Sequence, residues 1–60
     1  MENMQTVSAT AGNIVTIEEG NHGRRRVQRR TDASVPAGHP ERVSIRHHAR
    51  GAWGSWEPVA

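Results

Sequence analysis

The chain is 60 residues long, which allows one small domain at most, and it contains no cysteine, so no disulfide can stabilise it. The formal net charge is only +2 at pH 7, but residues 1–23 carry −3, residues 24–50 carry +6 and residues 51–60 carry −1. No apolar stretch is long enough to cross a membrane, and no secretory signal begins the chain, so we expect a cytoplasmic protein.

Large apolar residues are too few for a conventional core. Leu, Ile, Val and Phe together make nine of the 60 residues, all of them Val or Ile. This fraction of Leu, Ile, Val and Phe lies below the roughly 20% that is typical of globular chains. Chains below that level tend to be disordered, because too little apolar surface is buried to offset the entropy of ordering. We therefore predict a mostly disordered small protein, with no stable core and at most a transient β-hairpin or short strands.

The acidic first part of the chain contains one strand candidate. Residues 1–12 are small and polar and are expected to be disordered. Residues 13–18 are rich in β-branched side chains, which favours a strand, and a polar turn at residues 20–23 follows. The same segment is also suited to capture by an enzyme as an added strand.

The arginine-rich part contains the second strand candidate. Residues 24–30 hold five arginines in seven positions, and this block has no apolar face to support a helix. Residues 31–41 are predicted to form a loop, since serine, proline and glycine recur through them. Residues 42–48 alternate like a strand that could pair with residues 13–18, although two strands alone are rarely stable in water.

The only aromatic side chains apart from histidine, Trp53 and Trp56, lie in the last eight residues. We expect a type II′ β-turn across residues 53–56, with Gly54 taking the positive φ, because a central Gly-Ser pair suits that turn. Such a turn would bring the two indoles within reach of each other. The simpler interpretation is an exposed anchor, or a hairpin with stacked indoles.

The Trp-x-x-Trp spacing, and its place behind a long leader-like segment, resemble the precursors of ribosomally made, modified peptides of the cihunamide type. The resemblance implies a leader at residues 1–50, with an enzyme-docking strand at 13–18, and a core within residues 51–60. It also implies that a haem monooxygenase cross-links Trp53 and Trp56, so that the cofactor belongs to that oxidase and none belongs to this chain. Arg50 and Gly51 would suit cleavage by a basic-specific protease.

The arginine block supports an alternative function, the binding of nucleic acid. Its guanidinium groups could neutralise phosphates by bidentate contacts, and the tryptophans could stack on unpaired bases. The simpler interpretation is a solvated segment that keeps a leader soluble. The candidate contacts are Arg24, Arg25, Arg26, Arg29 and Arg30.

Catalysis and metal binding are not expected. The adjacent His47 and His48 would point to opposite faces of a strand, so they cannot easily chelate one ion. Serine and histidine are present, but a disordered chain has no scaffold to hold a nucleophile and a base within about 3 Å. We therefore expect a monomeric protein that is not an enzyme and has no metal site. A third possibility is an open reading frame without a defined function.

Overall fold

Six antiparallel strands in one sheet make up most of the chain. The structure is a computed structural model and describes residues 2–59. The first four strands follow one another as a meander, and the two short last strands both pair with the outer edge of the fourth. The elements are β1 (Glu2–Ala9), a 3-10 turn (Ala11–Asn13), β2 (Val15–His22), β3 (Arg25–Asp32), β4 (Val43–Ala49), β5 (Ala52–Trp53) and β6 (Glu57–Pro58).

The prediction of a mostly disordered chain is wrong, because the strands form a continuous and compact antiparallel sheet. Its apolar centre is nevertheless small. Val27 is fully buried, and the other well-buried side chains are the polar ones of Gln28 and Ser44. Counting large apolar residues underestimated order because a sheet also pairs its backbone polar groups and packs long arginine stems across its strands.

Both predicted strands exist, but they are not partners. Residues 13–18 overlap β2 and residues 42–48 overlap β4. Between them lies β3, which pairs with β2 through eight residue pairs and with β4 through five. The expected hairpin between residues 13–18 and 42–48 is therefore wrong, since the arginine block occupies the central position.

The arginine block becomes a strand because its charges are compensated across the sheet. Glu18 pairs in register with Arg29, and its carboxylate accepts hydrogen bonds from Nη2 at 2.8 Å and Nε at 3.2 Å. The neighbouring Glu19 forms an ion pair with Arg26 at 2.9 Å. Repulsion among the positive charges of residues 24–30 is thus offset by Glu18 and Glu19 of the preceding strand, β2.

Two tight turns lie side by side at one end of the sheet. Gly23, at φ +64°, and Arg24 connect β2 to β3. Arg50 and Gly51, both with positive φ (54° and 81°), connect β4 to β5. Two positive φ values define a type I′ turn, whose twist matches that of the flanking strands. In this turn the arginine occupies a position that favours asparagine or glycine.

We expect Arg50→Asn to stabilise the fold by about 0.5–1 kcal/mol, because asparagine adopts a positive φ more readily than arginine. Urea denaturation followed by tryptophan fluorescence measures the effect. Gly51→Ala is the opposite test, since an alanine at φ 81° is strained and should destabilise the protein. A loss of stability in Arg50→Asn would contradict the assigned turn.

The long loop between β3 and β4 folds back at the other end of the sheet. The backbone N–H of Asp32 donates to the carbonyl of Arg42 at 2.8 Å, and that of Ala33 donates to the carbonyl of Ile14 at 2.7 Å. The Arg42 side chain crosses the loop and donates to the carbonyl of Val35. The loop is therefore held in place over the ends of β3 and β4.

Candidate functional site

A β-bulge places both tryptophans on the same face of the sheet. In a regular strand, residues three positions apart point to opposite faces. Here Trp53 is opposite His48 while Glu57 is opposite Ile45, so the last strand has one residue more than β4 over this stretch. The N–H of Gly54 donates to the carbonyl of His47 at 2.9 Å, so Gly54 keeps the register of Trp53, and the extra residue falls at Ser55 and Trp56, opposite Arg46.

The two indoles enclose a guanidinium group. The Cζ atom of Arg46 lies 4.4 Å from the ring centroid of Trp56 and 5.2 Å from that of Trp53. On Trp53 a second guanidinium, that of Arg26, lies 5.3 Å from the ring centroid. We call this series, Arg26–Trp53–Arg46–Trp56, the ladder, and the face that carries it the ladder face. Each cation is attracted to the electron-rich face of a ring.

Hydrogen bonds between side chains orient the arginines of the ladder. Gln28 is 7% exposed, and its Oε1 accepts from Nε of Arg46 at 2.7 Å. The same amide donates from Nε2 to Glu19 at 2.8 Å, and the other carboxylate oxygen of Glu19 binds Arg26 at 2.9 Å. Both arginines of the ladder are thus connected through one amide and one carboxylate, which fixes the planes of their guanidinium groups.

The hydrogen bonds from Arg26 and Gln28 hold the pKa of Glu19 below its ordinary value of 4.5. Ionised Glu19 therefore stabilises the fold above pH 4.5, and this stabilisation is lost as the pH falls through the lowered pKa. We expect the free energy of unfolding to decrease in acid and Glu19→Gln to reduce that dependence, as measured by urea denaturation at several pH values. The exposed Glu57 lies outside this network, so Glu57→Gln should keep the wild-type dependence.

The end of the sheet that carries the two tight turns is basic. Val27 is opposite His47, so the strand register brings the start of β3 next to the end of β4. The turns at residues 23–24 and 50–51 are consequently neighbours. With the side chains described for residues 3–59, the exposed Arg24, Arg25 and Arg50 form no ion pair. We call these three arginines the basic end. It adjoins the part of the sheet that carries Arg26 and Trp53, and the side chain of Arg25 points to the face opposite the ladder.

The structure separates the arginines that the sequence grouped together. Arg24 and Arg25 belong to the basic end, and Arg26 belongs to the ladder. Arg29 lies on the opposite face, paired with Glu18. Arg30 is on the ladder face, with Nη2 4.0 Å from Asp32. Their positions alternate because successive side chains of a strand point to opposite faces.

Sequence reasoning missed the residues that complete the ladder, above all Arg46 with Gln28 and Glu19. A signal was present, because Arg46 and His48 alternate with the apolar positions of the strand predicted at residues 42–48. His48 stands edge-on to Trp53, with ring centroids 5.1 Å apart and planes at 77°. Its partner could not be inferred without knowing that the tail folds back along β4.

The turn expected across residues 53–56 is not formed. Among residues 2–59, positive φ values occur at Gly51 but not at Gly54, and the tail runs along β4. Arg46 lies over both indoles, and Arg50 and Gly51 form the central pair of a tight turn. The cross-link between Trp53 and Trp56, and cleavage after Arg50, stay predictions.

Comparisons with protein-family models, with curated proteins and with solved structures found no match. Within residues 2–59, no group of three or more histidine, cysteine or acidic side chains is arranged to hold a metal ion. The same part of the chain has no helix that is long and apolar enough to span a bilayer. The geometry of the ladder face and the basic end therefore carries the functional argument.

Proposed function

We propose that this protein binds single-stranded nucleic acid, with phosphates at the basic end and bases along the ladder face. The observation that carries the proposal is the position of three exposed arginines, which form no ion pair with the side chains described for residues 3–59, at the end of a sheet that presents tryptophan rings on one face. Arginine suits phosphate because its planar guanidinium binds two oxygens at once. Aromatic rings on a sheet suit bases that are not already paired.

The distribution of charge along the strands supports this orientation of the ligand. Arg24, Arg25 and Arg50 lie at one end of the sheet, whereas Asp32 and Glu41 lie at the other. The second end also carries Arg30 and Arg42, which balance these two carboxylates, so a polyanion is attracted more strongly to the first end than to the second. The strand would therefore enter at the basic end and extend along the ladder face.

The ladder offers stacking surfaces at both of its ends. Its inner groups, Trp53 and Arg46, each contact two members of the series, whereas Arg26 and Trp56 at its ends each contact one. Bases stack on guanidinium planes as well as on aromatic rings. Since Glu19 fixes the guanidinium plane of Arg26, and Gln28 fixes that of Arg46 against Trp56, little ordering is required when a base binds.

Fluorescence anisotropy of a labelled oligothymidylate tests the proposal. Three arginine–phosphate contacts predict that the logarithm of the association constant falls against the logarithm of salt concentration with a slope of about −2. A duplex of the same length should bind more weakly, because its bases are not available for stacking. Binding that does not depend on salt, or tighter binding of the duplex, would contradict the proposal.

A further inference from the structure

A cavity of about 410 Å³ lies on the ladder face beyond Trp56. Its floor includes the small side chain of Ser44, which leaves the space above β4 open. The tail, β3 and the loop before β4 supply its walls. The wall residues that matter here are Trp56, Pro58, Arg30, Asp32 and Glu41.

The cavity is the next position in the ladder. Ser44 and Pro58 are register partners, and they lie beyond Arg46 on the side away from Trp53. The Cζ atom of Arg46 lies 4.4 Å from the centroid of the Trp56 ring, and Trp56 is also one of the residues that line the cavity. A planar group in the cavity would therefore continue the stack.

The walls provide a hydrogen-bond donor and an acceptor next to that ring. The side chain of Arg30 is 37% exposed, and its Nη2 lies 4.0 Å from Oδ2 of Asp32, beyond hydrogen-bond distance. Ser34 donates from its backbone N–H and its hydroxyl to the other oxygen, Oδ1. Both the guanidinium fork and Oδ2 of Asp32 thus retain the capacity to bind a ligand.

The geometry points to a guanine subsite formed by Trp56, Arg30 and Asp32, an inference that rests on the proposed binding of single strands. Guanine presents two acceptors, O6 and N7, to an arginine fork. On its other edge, N1–H and the N2 amino group donate to a carboxylate, and its ring stacks on an indole. Thymine has no exocyclic amino group, and adenine presents an amino donor where guanine has O6, so neither satisfies both walls.

Competition between oligomers that differ in one base tests the subsite. We expect an oligothymidylate with one central guanine to bind the full chain about tenfold more tightly than the all-thymine oligomer. Replacing that guanine by hypoxanthine removes the N2 donor, and replacing it by 7-deazaguanine removes the N7 acceptor. Each replacement should cancel most of the preference, and neither requires a change in the protein.

A pair of matched variants assigns the preference to the cavity. Asp32→Asn keeps an acceptor for Ser34 but loses the carboxylate, so it should remove the guanine preference and leave the binding of all-thymine oligomers intact. Glu57→Gln removes one exposed carboxylate outside the cavity and should keep the preference. Equal affinity for all central bases, with salt-dependent binding retained, would overturn the subsite alone. Failure to bind any oligomer would overturn the proposed function as well.

Discussion

Arg46→Ala should destabilise the protein by about 2–4 kcal/mol, a large part of the stability of so small a domain. The substitution removes two cation–π contacts and the hydrogen bond to Oε1 of Gln28. It also leaves the buried acceptor of Gln28 without its partner, which adds to the cost. Urea denaturation followed by circular dichroism measures the loss, and the tryptophan fluorescence should shift to longer wavelength as the tail leaves β4.

Two further variants show whether the planar guanidinium group or the positive charge of Arg46 accounts for this loss of stability. Arg46→Lys keeps the charge but has no planar group to lie between two rings, so we expect most of the loss to persist. Arg29→Ala removes an arginine that forms a partly exposed ion pair with Glu18 on the other face, and it should cost less than about 1 kcal/mol. Equal losses at positions 29 and 46 would show that the ladder contributes nothing specific.

Replacing Arg24, Arg25 and Arg50 together by glutamine should weaken the binding of single strands by about 30–100-fold near 0.1 M salt. The slope of the salt dependence should fall from about −2 toward zero, because the phosphate contacts are lost. Anisotropy titrations at several salt concentrations measure both quantities. All three residues are exposed and form no ion pair with the side chains described for residues 3–59, so the fold should remain.

A matched pair of single variants separates local contact from net charge. Arg25→Gln and Arg29→Gln each remove one positive charge from β3, and both positions lie on the same face of that strand. Arg25 belongs to the basic end, whereas Arg29 is already paired with Glu18. We expect a several-fold loss of affinity for the first and a change within about twofold for the second. Similar losses for both would indicate attraction by net charge alone.

The boundaries of individual strands could be predicted to within a few residues where β-branched side chains recur. Residues 13–18 and 42–48 correspond to β2 and β4 for this reason. The arginine block gave no such signal, because its stability as β3 depends on Glu18 and Glu19, which reach it only across the strand pair. The repulsion between neighbouring arginines could be seen in the sequence, but the pairing with Glu18 and Glu19 that compensates it could not.

The candidate site likewise combines residues that the sequence identified with an arrangement that only the fold creates. The sequence alone identified the tryptophans of the tail and the candidate arginines from Arg24 to Arg30. It could not place Trp53 and Trp56 on one face, because their spacing gives opposite faces in a regular strand. The bulge at Ser55 and Trp56 reverses that parity, and Arg46 on the neighbouring strand lies over both rings.

By itself the sequence determined the absence of disulfides, the separation of acidic and basic segments, and the confinement of tryptophan to the tail. These properties depend only on which residues are present and in what order. Only the tertiary structure decided that the basic block is the centre of a sheet, that two turns form one basic end, and that the ladder exists. The reason is physical, since each of these features joins residues from different strands, and strand register is set by pairing along the whole sheet.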